Sequence, residues 1–279
     1  MTSEESEENL VSVIVPTRDS SRTLATCLES LRCQRGVEIE ILIVDQESRD
    51  GTRAIARKFD ATVIDIRRTT IYSPPSRSRN IGFDRSRGRY VLHIDSDMEL
   101  SSSDLLSTCI SACGPAEAVI IPEVDIGTGF WAECKCMERQ CHLGRTWLES
   151  PRFFKREIFQ ALSGYDPAIT SGEDWELTDR LLERGAIMAR IPLKIKHHLG
   201  ALSMKTQFMK KFSYGKTMLP YARRQNGRMS RRFSGYIGAY TTNLKSLGFY
   251  VYPILLMRSI EFMGLFAGMT LSRVTSEPR

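Results

Sequence analysis

Short apolar runs alternate with amphipathic stretches over the N-terminal third of the chain. Four apolar runs predict buried strands, at residues 11–16, 40–45, 62–66 and 90–94. Between them, apolar residues at three-and-four spacing predict a helix over 24–31, and further helices are predicted from Asp50 to Phe59 and from Ser76 to Phe83. Strands that alternate with helices imply a mostly parallel sheet with right-handed crossovers, and therefore an α/β fold.

Polar side chains follow three of these strands where each strand ends. Asp95 and Asp97 follow the fourth strand, Asp45 ends the second, and Pro16-Thr17 ends the first. Open α/β sheets bind ligands at this edge, so we expect a nucleotide to bind there. Asp95 and Asp97 lie two residues apart and could share one hard divalent cation with a diphosphate. Taken alone, such a pair is more often two solvated carboxylates in a loop than a binding site. The surrounding residues are needed to distinguish the two cases.

Further short motifs accompany this edge in a fixed order. They are Val13-Ile-Val-Pro16, Val44-Asp45-x-x-Ser48-x-Asp50-Gly51-Thr52, Ser78-Arg79-Asn80-x-Gly82, Gly88-x-Tyr90 before Asp95-Ser-Asp97, Phe153-Phe154-Lys155-Arg156, Gly164-Tyr165-Asp166 and Ser171-Gly172-Glu173-Asp174-Trp175-Glu176. With these motifs, residues 10–200 resemble a family 2, nucleotide-sugar-dependent glycosyltransferase of the GT-A fold. Gln46 departs from the family's frequent second Asp, and Arg18-Asp19 from its frequent aromatic-Asn pair, which leaves the nucleotide open.

The resemblance implies how the donor is bound. Asp45 and Asp95 would contact base and ribose, and Arg79 would lie near the diphosphate. The implied donor-binding set is Pro16, Thr17, Asp45, Arg79, Asp95 and Ser96. Asp97 would bind a divalent cation, Mn²⁺ or Mg²⁺, which stabilises the diphosphate leaving group more in the transition state than in the ground state.

The resemblance also implies inversion at the anomeric carbon by direct displacement. The attacking hydroxyl then needs a general base on the opposite face of the sugar, and the resemblance assigns this role to Asp174. Asp174 also fits a purely structural role, because Glu173–Glu183 predicts a helix and acids in its first turn interact favourably with the helix dipole. Both roles are compatible with one position.

Two histidines follow the alternating run Ile191–Lys196, which predicts a last strand. In metal-dependent relatives a histidine near this place completes the coordination of the cation, and imidazole suits Mn²⁺ better than Mg²⁺. Adjacent strand residues point to opposite faces, so we expect only one histidine to reach the metal, and we choose His197 over His198. An ordinary surface or core histidine pair is the alternative.

The 279 residues, 42% of them hydrophobic, can bury a sizeable core. The acidic start of the chain predicts a disordered tip over residues 1–9 and no signal peptide.

Seven cysteines favour reduced thiols and a cytoplasmic location. Cys134, Cys136, Cys141 and His142 could hold zinc, but a helix from Trp131 to Leu143 would spread them around its girth, which favours core or incidental cysteines.

Charge is distributed unevenly along the chain. Residues 201–279 carry 13 Lys or Arg and two acids, a net +11, which leaves −5 of the total +6 for residues 1–200. Such a segment attracts phospholipid headgroups, a phosphate-bearing lipid acceptor or nucleic acid. Aromatic residues interleave with these cations, which favours a membrane interface over an ordinary solvated face.

The run Pro253–Leu271 predicts an amphipathic helix with a wide apolar side. Arg258, Glu261, Gly264 and Gly268 form its narrow polar or small stripe. An in-plane or shallowly inserted anchor is the expected arrangement, because charges near the middle of a spanning helix cost about 2.5–3.5 kcal/mol each. Spanning the membrane and packing on the catalytic domain are the alternatives.

The sequence therefore predicts a GT-A glycosyltransferase domain over 10–200 and a basic, amphipathic, membrane-docking helical region over 201–279. We expect a metal-dependent, inverting enzyme on the cytoplasmic face of the membrane, acting on a glycan or lipid-linked acceptor and binding no nucleic acid. A nucleotidyltransferase is the closest enzymatic rival, disfavoured because no Gly-rich, Lys-bearing triphosphate loop is present near the N-terminus. A non-catalytic nucleotide-, lipid- or nucleic-acid-binding protein on the same fold is the other rival.

Overall fold

The computed structural model describes residues 9–68, 75–145, 148–169, 171–218 and 228–276, and the side chains of all of these except 228–233 and 272–276. The predicted tip, apart from Asn9, lies outside these ranges. The chain forms two compact units. Unit 1 comprises the residues up to Glu123, Ser150–Pro167 and Asp174–His198, and unit 2 comprises Val124–Glu149, Ala168–Glu173 and Leu199–Arg279.

The strands and helices are numbered here in chain order. The strands are β1 Leu10–Thr17, β2 Glu38–Asp45, β3 Thr62–Asp65, β4 Tyr90–His93, β5 Met98–Leu100, β6 Ala118–Ile120, β7 Glu123–Thr128, β8 Phe153–Lys155, β9 Met188–Arg190 and β10 Ile195–Ala201. The helices are α1 Leu24–Arg32, α2 Thr52–Lys58, α3 Pro75–Arg85, α4 Leu105–Ala112, α5 Phe130–His142, α6 Arg156–Ala161, α7 Glu173–Glu183, α8 Met204–Gly215, α9 Arg228–Leu247 and α10 Val251–Ser276.

A seven-stranded sheet of order β3-β2-β1-β4-β8-β6-β9 forms the centre of unit 1. The pairs β1–β2, β2–β3, β1–β4 and β6–β9 are parallel. Strand β8 is antiparallel to both of its neighbours, β4 and β6. Among the described strands of this sheet, β8 alone therefore runs against the others, and the expected mostly parallel sheet flanked by helices is confirmed.

Both faces of this sheet are buried. Val11, Val13 and Val15 of β1 face a core shared with helices α1 and α4, whereas Ile14 faces a second core shared with α3, α6 and α7. The alternation follows from the two-residue period of a strand, and burial on both faces explains why the parallel strands are continuous apolar runs.

Two of the differences between predicted and observed strand boundaries have a local cause in a proline. Strand β1 continues through Pro16 to Thr17, because pairing with β4 ends at Ile14 opposite His93 and no ladder bond from residue 16 is then required. The strand predicted over Ile191–Lys196 instead spans Ile195–Ala201, because Pro192 interrupts the run and the ladder with β5 starts at Ile195.

Strand β10 begins in unit 1 and ends in unit 2. In unit 1 it pairs antiparallel with β5, with His197 opposite Met98. In unit 2, Gly127 of β7 lies so close to β10 that a Cβ on it would come within 2.9 Å of the Gly200 carbonyl oxygen. Glycine is therefore required where the two backbones approach.

Unit 2 is otherwise helical and has its own apolar cluster. The cluster contains Cys134, Cys141, Leu148, Ala239, Leu247 and Ile254. Two of the residues considered above as zinc ligands are thus core side chains, and among the described residues no group of three or more His, Cys, Asp or Glu could hold a metal. Unit 2 also includes residues 124–149 and 168–173, in addition to the predicted segment 201–279.

Gly88 provides a test of the packing that starts β4. A Cβ on this residue would lie 2.7 Å from the backbone nitrogen of Ser12 and from the carbonyl oxygen of Leu10. We expect Gly88→Ala to lower the free energy of unfolding by about 1–3 kcal/mol, because β1 would have to shift. In Gly114→Ala the added Cβ meets only an ordinary contact at 3.6 Å, so this control should change stability little in urea titrations. Equal stability of the two variants would contradict the packing.

Candidate active site

Strands β1, β2 and β4 end at one edge of the sheet. Thr17 lies opposite Asp45 in the β1–β2 ladder, and Asp95 follows β4 immediately beyond its last residues. The hydroxyl of Ser96 lies 2.9 Å from that of Ser20 in the loop after β1. The sheet register thus brings the predicted donor-binding residues of three strands to one edge.

Asp45 fixes the loop that follows β2. The carboxylate is fully buried, and it accepts hydrogen bonds from the hydroxyls of Thr17 at 2.9 Å and Ser48 at 2.5 Å. Its second oxygen accepts the backbone N–H of Ser48 at 2.9 Å. These bonds commit the carboxylate to the loop, and its predicted contact with the nucleotide stays a prediction.

Arg79 on helix α3 joins two of the predicted site carboxylates. Its side chain is only 2% exposed, and its two terminal nitrogens donate to Asp95 and Asp174, each at 2.8 Å. The guanidinium also lies over the ring of Tyr165, 5.4 Å from its centroid. Arg79 therefore holds the carboxylate after β4 and the carboxylate in the first turn of α7 in one arrangement.

A second cation on Asp95 comes from Arg152, which the sequence analysis missed. Its Nη1 lies 3.5 Å from Asp95, and its Nε donates to Glu123 at 2.5 Å. Arg152 immediately precedes β8, and since β8 is antiparallel to β4, this residue lies at the edge where β4 ends. The sequence shows that a cationic residue precedes an apolar run. It does not show in which direction that strand runs in the sheet, and therefore not at which edge Arg152 lies.

The two arginines keep Asp95 ionised. Burial alone would raise the pKa of Asp95, but the guanidinium groups of Arg79 and Arg152 outweigh it and hold that pKa below its usual range. Burial alone would lower the pKa of Arg152, but Glu123 and Asp95 raise it above its usual value. Asp95 is therefore a fixed carboxylate with two permanent counter-charges.

Buried aromatic residues support this ion-pair cluster. The ring nitrogen Nδ1 of the fully buried His93 lies 3.2 Å from the hydroxyl of Tyr165. Burial, followed by the charges of Arg79 and Arg152, lowers the pKa of His93 well below its usual value. The backbone of Tyr165 exchanges two hydrogen bonds with the Asn80 amide, at 2.8 and 2.9 Å. Motifs that are 85 residues apart in sequence thus position one guanidinium.

Asp97 and His197 face each other at the same edge. Oδ2 of Asp97 lies 3.5 Å from Nε2 of His197, and the Asp97 side chain is 42% exposed. The neighbouring His198 lies within hydrogen-bond distance of Glu99, at 2.8 Å, so the two adjacent histidines have different partners. Of the predicted metal ligands, the structure therefore brings together one accessible carboxylate and one imidazole.

Sequence comparisons identify relatives of the chain. The Glycosyl transferase family 2 model matches residues 12–166. A PGL/p-HBAD biosynthesis glycosyltransferase from Mycobacterium bovis is 25% identical in an alignment 191 residues long that covers 65% of this chain and 73% of that protein.

Solved structures share the fold. The mannosyltransferase PcManGT from Pyrobaculum calidifontis, in complex with GDP-Man and Mn²⁺, superposes with a TM-score of 0.60 at 15% identity, covering 96% of this chain and 88% of that one. TarS 1-349 from S. aureus, in complex with UDP, gives a TM-score of 0.53 at 16% identity, covering 96% and 93%. At these identities the likeness shows the fold alone, and it confirms the expected GT-A arrangement.

Removing the Arg79 guanidinium tests the ion-pair cluster. We expect Arg79→Met to lower the free energy of unfolding by about 2–4 kcal/mol, because it leaves Asp174 without this counter-charge and Asp95 with that of Arg152 alone, while both carboxylates remain about a third exposed to water. Adding Asp95→Asn should recover part of this loss in a double-mutant cycle.

Arg87→Met is the control for the loss of an arginine. Arg87 is 80% exposed and pairs with Glu40 at 3.3 Å, so its replacement should change stability by less than about 1 kcal/mol in the same urea titrations. An Arg79→Met variant as stable as this control would contradict the bridging role.

Proposed function

Because the chain belongs to glycosyl transferase family 2, we propose that it is an inverting, divalent-cation-dependent enzyme that transfers a sugar from a nucleotide-sugar donor to an acceptor. The observation that carries the proposal is the Arg79 bridge between Asp95 and Asp174, with two contacts of 2.8 Å. This bridge couples a carboxylate at the donor edge of the sheet to the carboxylate proposed as general base. Donor and acceptor groups would thereby be positioned by one buried cation.

The residues around Asp97 fit a cation that takes further ligands from a diphosphate and water. Mg²⁺ is usually bound through one or two carboxylates and substrate phosphates, and an imidazole favours Mn²⁺. Asp97 and His197 are therefore the proposed protein ligands, and the presence of Mn²⁺ with GDP-Man in PcManGT supports this choice. When bound, the cation would stabilise negative charge on the diphosphate leaving group.

The remaining residues of the edge are proposed to bind the donor. Asp95, whose side chain is 32% exposed, can contact the ribose directly, with Ser96 beside it. Asp45 would act through the loop that it fixes after β2, together with Thr17. Pro16 completes this set at the end of β1.

Asp174 is the proposed general base. Arg79 binds its Oδ1 at 2.8 Å and so fixes the side-chain orientation, while a 34% exposed side chain remains open to an incoming hydroxyl group. The base would take the proton of the acceptor hydroxyl as that oxygen attacks the anomeric carbon, and the nucleoside diphosphate leaves from the opposite face. This is a single displacement that inverts the configuration.

The proposed acceptor is a glycan or a lipid-linked saccharide at a membrane surface. The net +11 of residues 201–279 would attract anionic headgroups, which supports a peripheral location. The seven cysteines are free thiols in the structure, which fits a reducing compartment and the cytoplasmic face of the membrane.

The two adjacent histidines provide a matched test of the metal site. We expect His197→Gln to weaken Mn²⁺-dependent binding of the donor at least about tenfold, because it removes a ligand from beside Asp97. His198→Gln changes the neighbouring position, where it removes one of the two partners of Glu99 and leaves Lys196, and this variant should bind donor normally. Calorimetric titration of UDP-, GDP- and dTDP-sugars with and without Mn²⁺ measures both variants.

Asp97→Asn should weaken Mn²⁺-dependent donor binding more than His197→Gln does, because it removes the charged ligand. Full transfer activity of the unmodified enzyme in excess chelator, or equal effects of the two histidine variants, would refute the assignment. Asp104→Asn is the control for the charge change, because Asp104 is an exposed carboxylate before helix α4.

Asp174→Asn tests the general base. It keeps the shape and an oxygen that accepts from Arg79, so we expect a loss of stability of no more than about 2 kcal/mol. Transfer should fall at least about a hundredfold while donor affinity is retained, because only the proton acceptor is lost. Single-turnover transfer and donor titration separate the two effects. Near-normal turnover in a folded variant would return Asp174 to a structural role at the start of α7.

A further inference from the structure

Helix α10 of unit 2 exposes apolar side chains and buries polar ones. From Val251 to Leu271 its exposed positions carry no charged residue. Apart from Ser259 and Thr270 these positions are large and apolar or aromatic, with 43–78% of each residue exposed: Tyr252, Leu255, Leu256, Phe262, Met263, Phe266 and Leu271. A helix on the surface of a protein in water has the opposite distribution.

The two charged residues of α10 between Val251 and Leu271 are paired within unit 2, Glu261 buried and Arg258 with 28% of its side chain exposed. Arg258 donates to Glu138 of helix α5 at 2.6 Å and to Glu261 at 2.5 Å. Lys135 lies 3.2 Å from Glu138 and 3.1 Å from Glu261, so two cations and two carboxylates form a closed set. Glu138 and Glu261 are 1% and 3% exposed. The stripe predicted from the sequence is therefore an internal face, and its charges do not have to enter lipid unpaired.

Three glycines hold this stripe against helix α8. A Cβ on Gly264 would lie 2.5 Å from the Phe208 carbonyl oxygen, and one on Gly268 would lie 2.0 Å from that of Phe212. A Cβ on Gly215 of α8 would in turn meet the Leu265 carbonyl oxygen at 2.1 Å. The two backbones are in direct contact, which fixes the rotation of α10 and turns its large side chains outward.

Further exposed apolar residues precede α10 in the chain. Phe249 in the short helix Gly248–Tyr250 and Ile237 and Leu244 of α9 are also at least 49% exposed. Among the described residues, one helical stretch, Ser234–Leu271, is long and apolar enough to cross a membrane, and most of its apolar part is not buried in the protein. Scattered apolar residues need no explanation, whereas a continuous uncharged face does.

We propose that this face of α10, extended by Phe249, is a membrane-insertion surface that lies in the plane of a lipid bilayer with its side chains below the headgroups. One side of α10 packs on protein from Arg258 to Gly268, so the helix is not surrounded by lipid as a spanning helix would be. From Val251 to Leu271 the helix is about 30 Å long, and all of that length is uncharged on the outside.

Charge favours an anionic bilayer as the occupant of this face. Glu261 is the only acid among residues 199–276, and it is buried. Four of the five lysines of the same segment are exposed, at Lys205, Lys210, Lys216 and Lys245. A segment that combines exposed cations with an uncharged apolar helix face has the two signals that stable peripheral binding requires. The inference rests on the proposed membrane-surface function, for which it supplies the residues.

Flotation with vesicles tests the insertion surface in the full-length protein. With vesicles of phosphatidylcholine and phosphatidylglycerol, we expect Phe262→Glu/Phe266→Glu to lower the partition coefficient at least about a hundredfold, because two lipid-facing aromatic rings are replaced by charges. Leu182→Glu/Ile187→Glu is the matched control, since it places the same charges on exposed apolar residues of unit 1 and should bind like the unmodified protein. Circular dichroism checks that each variant is folded.

Salt separates insertion from electrostatic adsorption. In about 1 M NaCl the unmodified protein should remain partly bound, because screening does not weaken apolar burial. Complete release by salt would overturn the proposal, and so would equal flotation of the two double variants. A dimer that Phe262→Glu/Phe266→Glu converts to a monomer, without vesicle binding by the unmodified protein, would assign the face to a second copy instead.

Hydrolysis of nucleotide sugars, measured without vesicles, tests the enzymatic function separately from the membrane-insertion surface. Phe262→Glu/Phe266→Glu should hydrolyse donor at the unmodified rate while losing flotation. If no protein hydrolyses any donor but flotation depends on Phe262 and Phe266, the enzymatic proposal fails and the insertion surface stands. If donor is hydrolysed and flotation does not depend on these residues, the insertion surface fails alone.

Discussion

The buried guanidinium of Arg79 is the group on which the candidate active site depends. It is 2% exposed and binds Asp95 and Asp174 simultaneously. Two carboxylates that approach each other without a cation repel, and a buried cation without carboxylates is strongly destabilising, so each part of the bridge requires the others. The ring of Tyr165 beneath the guanidinium and the Asn80 amide that binds the Tyr165 backbone determine where the bridge lies.

This arrangement separates the tasks of two carboxylates that the sequence presents as a pair. Asp95 has permanent counter-charges in Arg79 and Arg152, and its pKa is held low by them despite burial. Asp97 is 42% exposed and faces His197, which leaves it accessible to a cation and a diphosphate. The same spacing of two residues therefore yields one carboxylate that organises the site and one that can bind a cation, because their charged neighbours differ.

Charges that enter the interior of unit 2 are also paired, and there the pairing affects the outer surface of helix α10. Its set of Lys135, Glu138, Arg258 and Glu261 pairs both charges that α10 carries between Val251 and Leu271 with each other and with helix α5. Removing any one of the four ions would leave an unbalanced charge in the set, whereas the complete set is tolerated inside a helical unit. The polar and small stripe predicted from the sequence therefore faces the interior of unit 2, and the apolar side of α10 faces outward.

The sequence by itself determined the alternation of strands and helices, the parallel arrangement of β1 to β4, and the edge at which Asp45, Asp95 and Asp97 meet. These features follow from local periodicity and from the geometry of parallel strands. Only the tertiary structure decided that β8 runs antiparallel and so brings Arg152 to Asp95, because strand direction depends on partners far along the chain. It also decided the rotation of α10, since periodicity defines the faces of a helix but not which face the neighbouring helices cover.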